Sequence, residues 1–253
     1  MDLGLRDRVV LITGAGGGVG PTLARAFVGE GAQVALQHRG GHSGDRAVET
    51  AAEITAGGGR AITVEADLGT EEAVEAMVAE VAANLAPVGV LVSATSAYRM
   101  ERFAEIEDDS WSEVIDDLLG ATYRSCRAVV PGMQAAGWGR IVNFAARSGL
   151  VGTARSAHYA AAKAGILGLT ASLAKELGPA GILVNAVAPT QILTIKDGVP
   201  SIPDDRAAEL AKSIPARRIA TPDDIAPLVL FLASDANRYV RGETVSLTGG
   251  DQR

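Results

Sequence analysis

The chain is poor in residues that staple or ligate. It has one cysteine, Cys126, in 253 residues, which excludes an internal disulfide framework and a cysteine-built zinc site. Its three histidines, His38, His42 and His158, belong to no metal-ligand motif, and no metal site is expected. No block of Lys and Arg occurs, and 23 basic residues face 30 acidic ones; a surface of net charge −7 disfavours nucleic-acid binding. The opening MDLGLRDR lacks the apolar stretch of a secretory signal. The uncharged run from Leu177 to Ile195 is interrupted by Pro179, Gly181, Asn185 and Pro189, so it reads as a strand between turns, not a membrane span. A soluble cytoplasmic protein is expected, with no membrane partner. No linker, repeat or low-complexity tract is visible.

What is present is apolar and alternating. Hydrophobic residues make up 47% and charged residues 21%, enough to fill a core and too little charge for a disordered chain. Short apolar runs at Val9–Thr13, Val34–Gln37, Ala61–Glu65, Val88–Val92, Ile141–Ala145, Ile182–Val187 and Thr244–Leu247 read as strands. Amphipathic stretches separate them, including one long helix expected over Ser110–Met133. Strands apolar on both faces and divided by helices predict a parallel sheet covered on both sides. The expected fold is α/β, a single doubly wound Rossmann-type domain over 1–253. Residues 191–216 break the alternation with Pro200, Pro203 and Pro215. They are expected to form a lid on the substrate side, near the carboxyl ends of the strands, where such folds bind ligands.

Two local patterns carry chemistry. Thr13-Gly14-Ala15-Gly16-Gly17-Gly18-Val19-Gly20 joins the first strand to a helix. Backbone N–H groups at a helix N-terminus favour an anion, and glycines let the chain approach a pyrophosphate. In that context the turn predicts a dinucleotide site. The second strand ends in Gln37-His38-Arg39, with no carboxylate before Asp45. A basic residue there accommodates a 2′-phosphate, whereas an acidic one bonds the 2′-OH of NAD. NADP(H) is therefore the expected cofactor. Tyr159 and Lys163 stand four apart on a helix and share a face. A free phenol titrates near ~10. An ammonium about 4 Å away, at an effective dielectric of about 20, favours the phenolate by about 4 kcal/mol, which brings the tyrosine into working range for acid/base catalysis.

With these features the chain resembles the short-chain dehydrogenase/reductase family, of the kind typified by 3-oxoacyl-carrier-protein reductases, over nearly its whole length. TGAGGGVG at 13–20 is similar to the family's TGxxxGxG, and Tyr159-Ala160-Ala161-Ala162-Lys163 to its YxxxK. Asp67-Leu68 match the adenine-contacting position, and VNAVAP at 184–189 precedes the nicotinamide-contacting loop, on which Thr194 falls. The resemblance implies cofactor contacts from Thr13, Gly14, Gly18, Val19, Gly20, His38, Arg39, Asp67, Leu68, Ser93, Ala94, Tyr159, Lys163, Pro189, Ile192 and Thr194. It also implies hydride transfer between nicotinamide and a ketone or secondary alcohol, with Tyr159 as acid/base and Lys163 as its activator, and a homotetramer or homodimer.

Departures from the family pattern leave alternatives open. Ala146 stands where the family has its active-site Ser, thirteen residues before the Tyr. Leu118 replaces the helix Asn, and NNAG reads Ser93-Ala94-Thr95-Ser96. Ser148 is the first choice for a substitute hydroxyl, with Ser93, Thr95, Ser96 and Tyr98 behind it. The other readings are non-redox chemistry on the same cofactor-binding fold, such as dehydration or isomerisation, and a catalytically silent binding subunit. Elsewhere, Thr221-Pro222-Asp223-Asp224 reads as a helix start. Asp116 and Asp117 read as solvated or at a subunit contact, and Trp111 and Trp138 as packing anchors. Arg147 and Arg155 flank the expected active-site mouth.

Overall fold

Seven apolar runs pair into one sheet in the computed structural model, which describes residues 2–196 and 199–251. Met1, Gln252 and Arg253 of the expected domain, and Asp197 and Gly198 of the expected lid, lie outside the described residues. The strands are β1 (Val9–Thr13), β2 (Gln33–His38), β3 (Arg60–Glu65), β4 (Val90–Ser93), β5 (Gly139–Phe144), β6 (Ile182–Pro189) and β9 (Thr244–Leu247). All pair in parallel, in the order β3-β2-β1-β4-β5-β6-β9. This is the doubly wound Rossmann arrangement expected from the alternation of runs. The order reverses between β1 and β4, where Thr13 pairs with Ser93, so the crevice of such a sheet opens at the ends of these two strands.

Helices cover both faces. On one side α1 (Gly20–Gly29), α2 (Gly41–Ala56) and α9 (Pro222–Leu232) bury Leu23, Phe27, Ala47, Ile54, Ile225 and Val229 against the sheet. On the other, α3 (Glu71–Asn84), α5 (Ala121–Ala136) and α7 (Ala157–Leu177) contribute Val74, Met77, Val129, Met133 and Leu177. Among the described residues no helix is long and apolar enough to cross a membrane.

Two expectations change. The long helix is broken: α4 (Asp108–Ile115) and α5 are joined by one wide π-turn, Asp116–Gly120. Such turns are rare and cluster at functional sites. Trp111 is 39% exposed and anchors no core. Beyond β6, the 191–216 segment holds a two-residue-by-two-residue hairpin, β7 (Ile195–Lys196) with β8 (Val199–Pro200), then α8 (Asp204–Ser213), which has no buried residue. The α9 start is as read: Thr221 donates its N–H to Asp224 Oδ2 at 2.8 Å, and Arg218 also pairs with Asp224. At the opposite end of the sheet from the crevice, Trp138 lies between Arg8 and Arg140, 3.9 and 4.4 Å from its ring centre. Its Nε1 donates to Asp235 Oδ1 at 2.8 Å, which Arg140 also contacts.

Candidate active site

The glycine turn after β1 is held by a residue from β2. Gly14 has φ +66°, and a Cβ there would press on Ala94 O and Thr95 Cα at 3.0 and 3.1 Å. Only glycine takes both the conformation and the close approach without strain. The Gly14 N–H donates to Gln37 Oε1 at 2.7 Å, and Gln37 Nε2 donates to Ala66 O at 2.8 Å. One buried amide on β2 thus ties together the loops that follow β1 and β3. Sequence reasoning read Gln37 only for its lack of charge and missed this role; residue type alone offers no signal for it. Gly18 faces Thr194, whose Cγ2 lies 2.4 Å from where a Cβ would be. The Thr13 hydroxyl is buried without a partner. A glycine cradle at a helix N-terminus, roofed by a threonine and floored by an unpaired hydroxyl, fits a dinucleotide pyrophosphate.

At the end of β2, His38 turns back into its own loop, where Nδ1 accepts the Gly40 N–H at 3.0 Å. Arg39 points outward and pairs with Asp117 across the crevice, Nη1 to Oδ1 at 2.9 Å. After β3, Asp67 is exposed and accepts the Gly69 N–H, while Leu68 is buried in the core. After β4, the Ser93 hydroxyl donates to Thr122 Oγ1 at 3.1 Å, and Thr122 donates to Leu118 O. Ser93 is therefore spent on joining β4 to α5. Ala94 continues the β1–β4 ladder through its N–H to Thr13 O.

Tyr159 and Lys163 lie one turn apart on α7, with Lys163 Nζ 5.8 Å from the phenol ring centre. The amine is buried and donates to Phe144 O at 2.6 Å and Thr95 O at 3.4 Å, the ends of β5 and β4. Tyr98 meets the Tyr159 ring edge-on at 5.0 Å. Beneath the phenol pack Leu118, Val114 and Ala162. The expected electrostatics are reversed in this arrangement. Burial pushes Tyr159 up to about 12, and burial pulls Lys163 down to about 7. Spacing on a helix established proximity, but it said nothing of the lost water, which disfavours both charged forms.

Ala146 is buried and directly precedes α6 (Arg147–Val151). Ser148 lies on this short helix, its hydroxyl buried without a partner. The next residue, Gly149, packs on the α7 backbone: a Cβ there would lie 2.7 Å from Lys163 C. Ser148 is thus brought beside the helix that carries the Tyr–Lys pair. The Thr95 hydroxyl is likewise buried and unpaired. Arg147 is tied to Asp251 by two bonds, so its charge is already met. Arg155 adopts φ +63°, with its carbonyl accepting from Glu101 N and Ser156 Oγ. Pro189 ends β6, Ile192 bridges to Ala220, and Thr194 is held by reciprocal bonds with Ser201. The crevice therefore gathers the glycine turn, the ends of β4 and β5, the Tyr–Lys pair and Thr194. The side chains of His38, Leu68 and Ser93 are engaged within the protein, by Gly40, the core and Thr122.

Known proteins are similar to this chain over nearly its whole length. The family model described as enoyl-(acyl carrier protein) reductase matches residues 14–251. Nodulation protein G of Azospirillum brasilense is 35% identical over 246 residues, covering 97% of this chain and 98% of that one. The 3-oxoacyl-acyl-carrier-protein reductase of Chlamydia trachomatis is 34% identical over 247 residues, with coverage of 97% and 98%. A crystal structure from Sinorhizobium meliloti, provisionally called a short-chain alcohol dehydrogenase, superposes with a TM-score of 0.91 at 29% identity, covering 99% of this chain and 98% of that one. Sequence motifs, strand order and these relatives agree: the chain belongs to the short-chain dehydrogenase/reductase family of oxidoreductases.

Proposed function

We propose that the protein is an NADP(H)-dependent reductase that moves hydride between nicotinamide and a ketone or secondary alcohol. The observation that carries this reading is the Tyr159–Lys163 pair, stacked on α7 with the amine locked onto the carboxyl ends of β4 and β5. When bound, the cofactor supplies or accepts the hydride. Thr13, Gly14, Gly18 and Thr194 would hold its pyrophosphate, and Arg39 its 2′-phosphate.

The chain's own residues handle the proton. Tyr159 would give its phenolic proton to the oxygen of a substrate carbonyl beside it, so that reduction ends in an alcohol and leaves a phenolate on Tyr159. Burial holds the phenol in its protonated form at neutral pH, so Tyr159 enters the reduction as the proton donor. The resulting phenolate regains its proton from solvent, and a protonated Lys163 lowers the cost of its charge. Ala146 has no donor to offer the substrate oxygen; the unpaired Ser148 hydroxyl is our choice for that part. Residues 191–216 act as a substrate-side lid over Gly18, and the molecule works as a cytoplasmic homo-oligomer on a small carbonyl compound.

The test is NADPH oxidation with a panel of ketones. Tyr159→Phe is expected to lower turnover by about 10²–10⁴ while NADPH affinity stays within a few-fold. Ser148→Ala is expected to cost about 10²–10³. Equal turnover in the phenylalanine variant would refute the mechanism. Leu118, packed under the phenol, and the buried Ala146 stand where the family pattern has Asn and Ser, and they favour non-redox chemistry as the second reading. NADPH binding with no turnover of any ketone would support it.

A further inference from the structure

Asp116 and Asp117 stand side by side on the π-turn, yet they face different partners. Asp116 forks onto Arg124 of α5, with contacts from both guanidinium nitrogens. Asp117 instead reaches over the crevice to Arg39, a residue 78 positions away. Arg39 directly follows β2, the place from which a Rossmann-type chain meets the adenosine ribose. The guanidinium side chain is 55% exposed and the carboxylate side chain 33%. A pair this wet is worth about 0–1 kcal/mol, so a phosphate dianion can take the guanidinium from it. The backbone that carries the carboxylate is anchored and keeps it at the crevice. It sits next to Leu118, which is fully buried and whose carbonyl accepts the Thr122 hydroxyl at 2.7 Å.

Any anion bound by Arg39 therefore keeps a negative neighbour. A 2′-phosphate meets that charge directly, whereas a neutral ribose 2′-hydroxyl does not. We propose that Asp117 is a coenzyme-discriminating residue: it competes with the ribose 2′-phosphate for Arg39 and narrows the preference for NADP(H) over NAD(H). The inference rests on the reading of Arg39 as the phosphate-binding residue.

NADPH and NADH are titrated separately into the native protein, Asp117→Asn, Arg39→Ala and the double variant, following nicotinamide fluorescence at low and high ionic strength. Thermal melting checks that each variant folds. Asp117→Asn is expected to tighten NADPH by about fivefold, the upper end for an exposed charge contact, and to leave NADH unchanged. The gain should shrink in high salt and vanish in the Arg39→Ala background. Equal gains for both coenzymes, or a gain that survives without Arg39, would overturn the role of Asp117. An Arg39→Ala variant with the native NADPH-to-NADH ratio would instead refute the Arg39 reading, and the inference would fall with it.

Discussion

Leu118 offers the sharpest check on how the crevice floor is built. Its side chain is fully buried and packs with Val114, Ala162 and the underside of Tyr159. Replacing it by Asn, the residue expected there from the sequence resemblance, removes apolar packing worth about 1.5–3 kcal/mol. It also buries an amide among Val114, Ala162 and the tyrosine ring, at a further cost of about 1–3 kcal/mol if the amide stays unpaired. For a chain of this length each kcal/mol lowers the melting temperature by about 2 °C, so Leu118→Asn should melt about 5–12 °C lower. Leu118→Met, a volume-conserving swap costing under about 1.5 kcal/mol, should stay within about 3 °C of the native protein. Calorimetric melting of the three proteins decides the matter. An Asn variant as stable as the Met variant would mean that the amide has found water or a partner, and the dry floor would be wrong. If the prediction holds, restoring the asparagine cannot by itself restore a polar relay, because the neighbouring side chains have closed over its place.

The remaining predictions concern charge and backbone. Lys163 titrates at about 7 when folded, against 10.5 for a free lysine. Between those values the unfolded chain binds a proton that the folded chain lacks, so stability should rise with pH across this window. Denaturant midpoints at pH 7 and 9.5 should show that rise in the native protein and its loss in Lys163→Met; equal slopes would contradict the burial argument. Gly16→Ala places a Cβ 1.8 Å from the Ser43 carbonyl oxygen and must push back the start of α2. It should lower both the melting temperature and NADPH affinity, while Gly29→Ala, with nothing within 4 Å, should be neutral or slightly stabilising. Affinity unaltered by Gly16→Ala would separate the turn from the coenzyme site.

The sheet was legible because its strands are apolar on both faces, and period and composition then agree. The α9 start was legible for a similar reason: Thr221, Pro222 and Asp224 each act locally, within one turn of helix. The broken helix was not, since no glycine or proline precedes Asp116 to mark a wide turn. Trp111 misled because a large ring is usually buried, and nothing in its neighbours says that this one sits on an outer helix face. The Tyr–Lys pair was found by spacing, but the direction of its titration is set by burial, and residues that supply it, such as Leu118 and Val114 under the phenol, arrive from another part of the chain. Gln37 and Asp117 act over 23 and 78 positions, distances at which a single sequence gives no pairing information.

The tryptophan wedged between Arg8 and Arg140 has a bearing on how the crevice is tensioned. Arg8 immediately precedes β1, and Asp235, which receives the indole N–H, lies just past α9. One aromatic plate therefore pins the first strand and the region beyond the last helix to the same spot, a full strand length from the glycine turn. Chemistry at one rim is thereby insulated from fraying at the other. Loosening Trp138 would fray the chain entering β1, while the ladders to β2 and β4 still hold Thr13 in register, so such a lesion would surface as lost stability with the glycine turn in place.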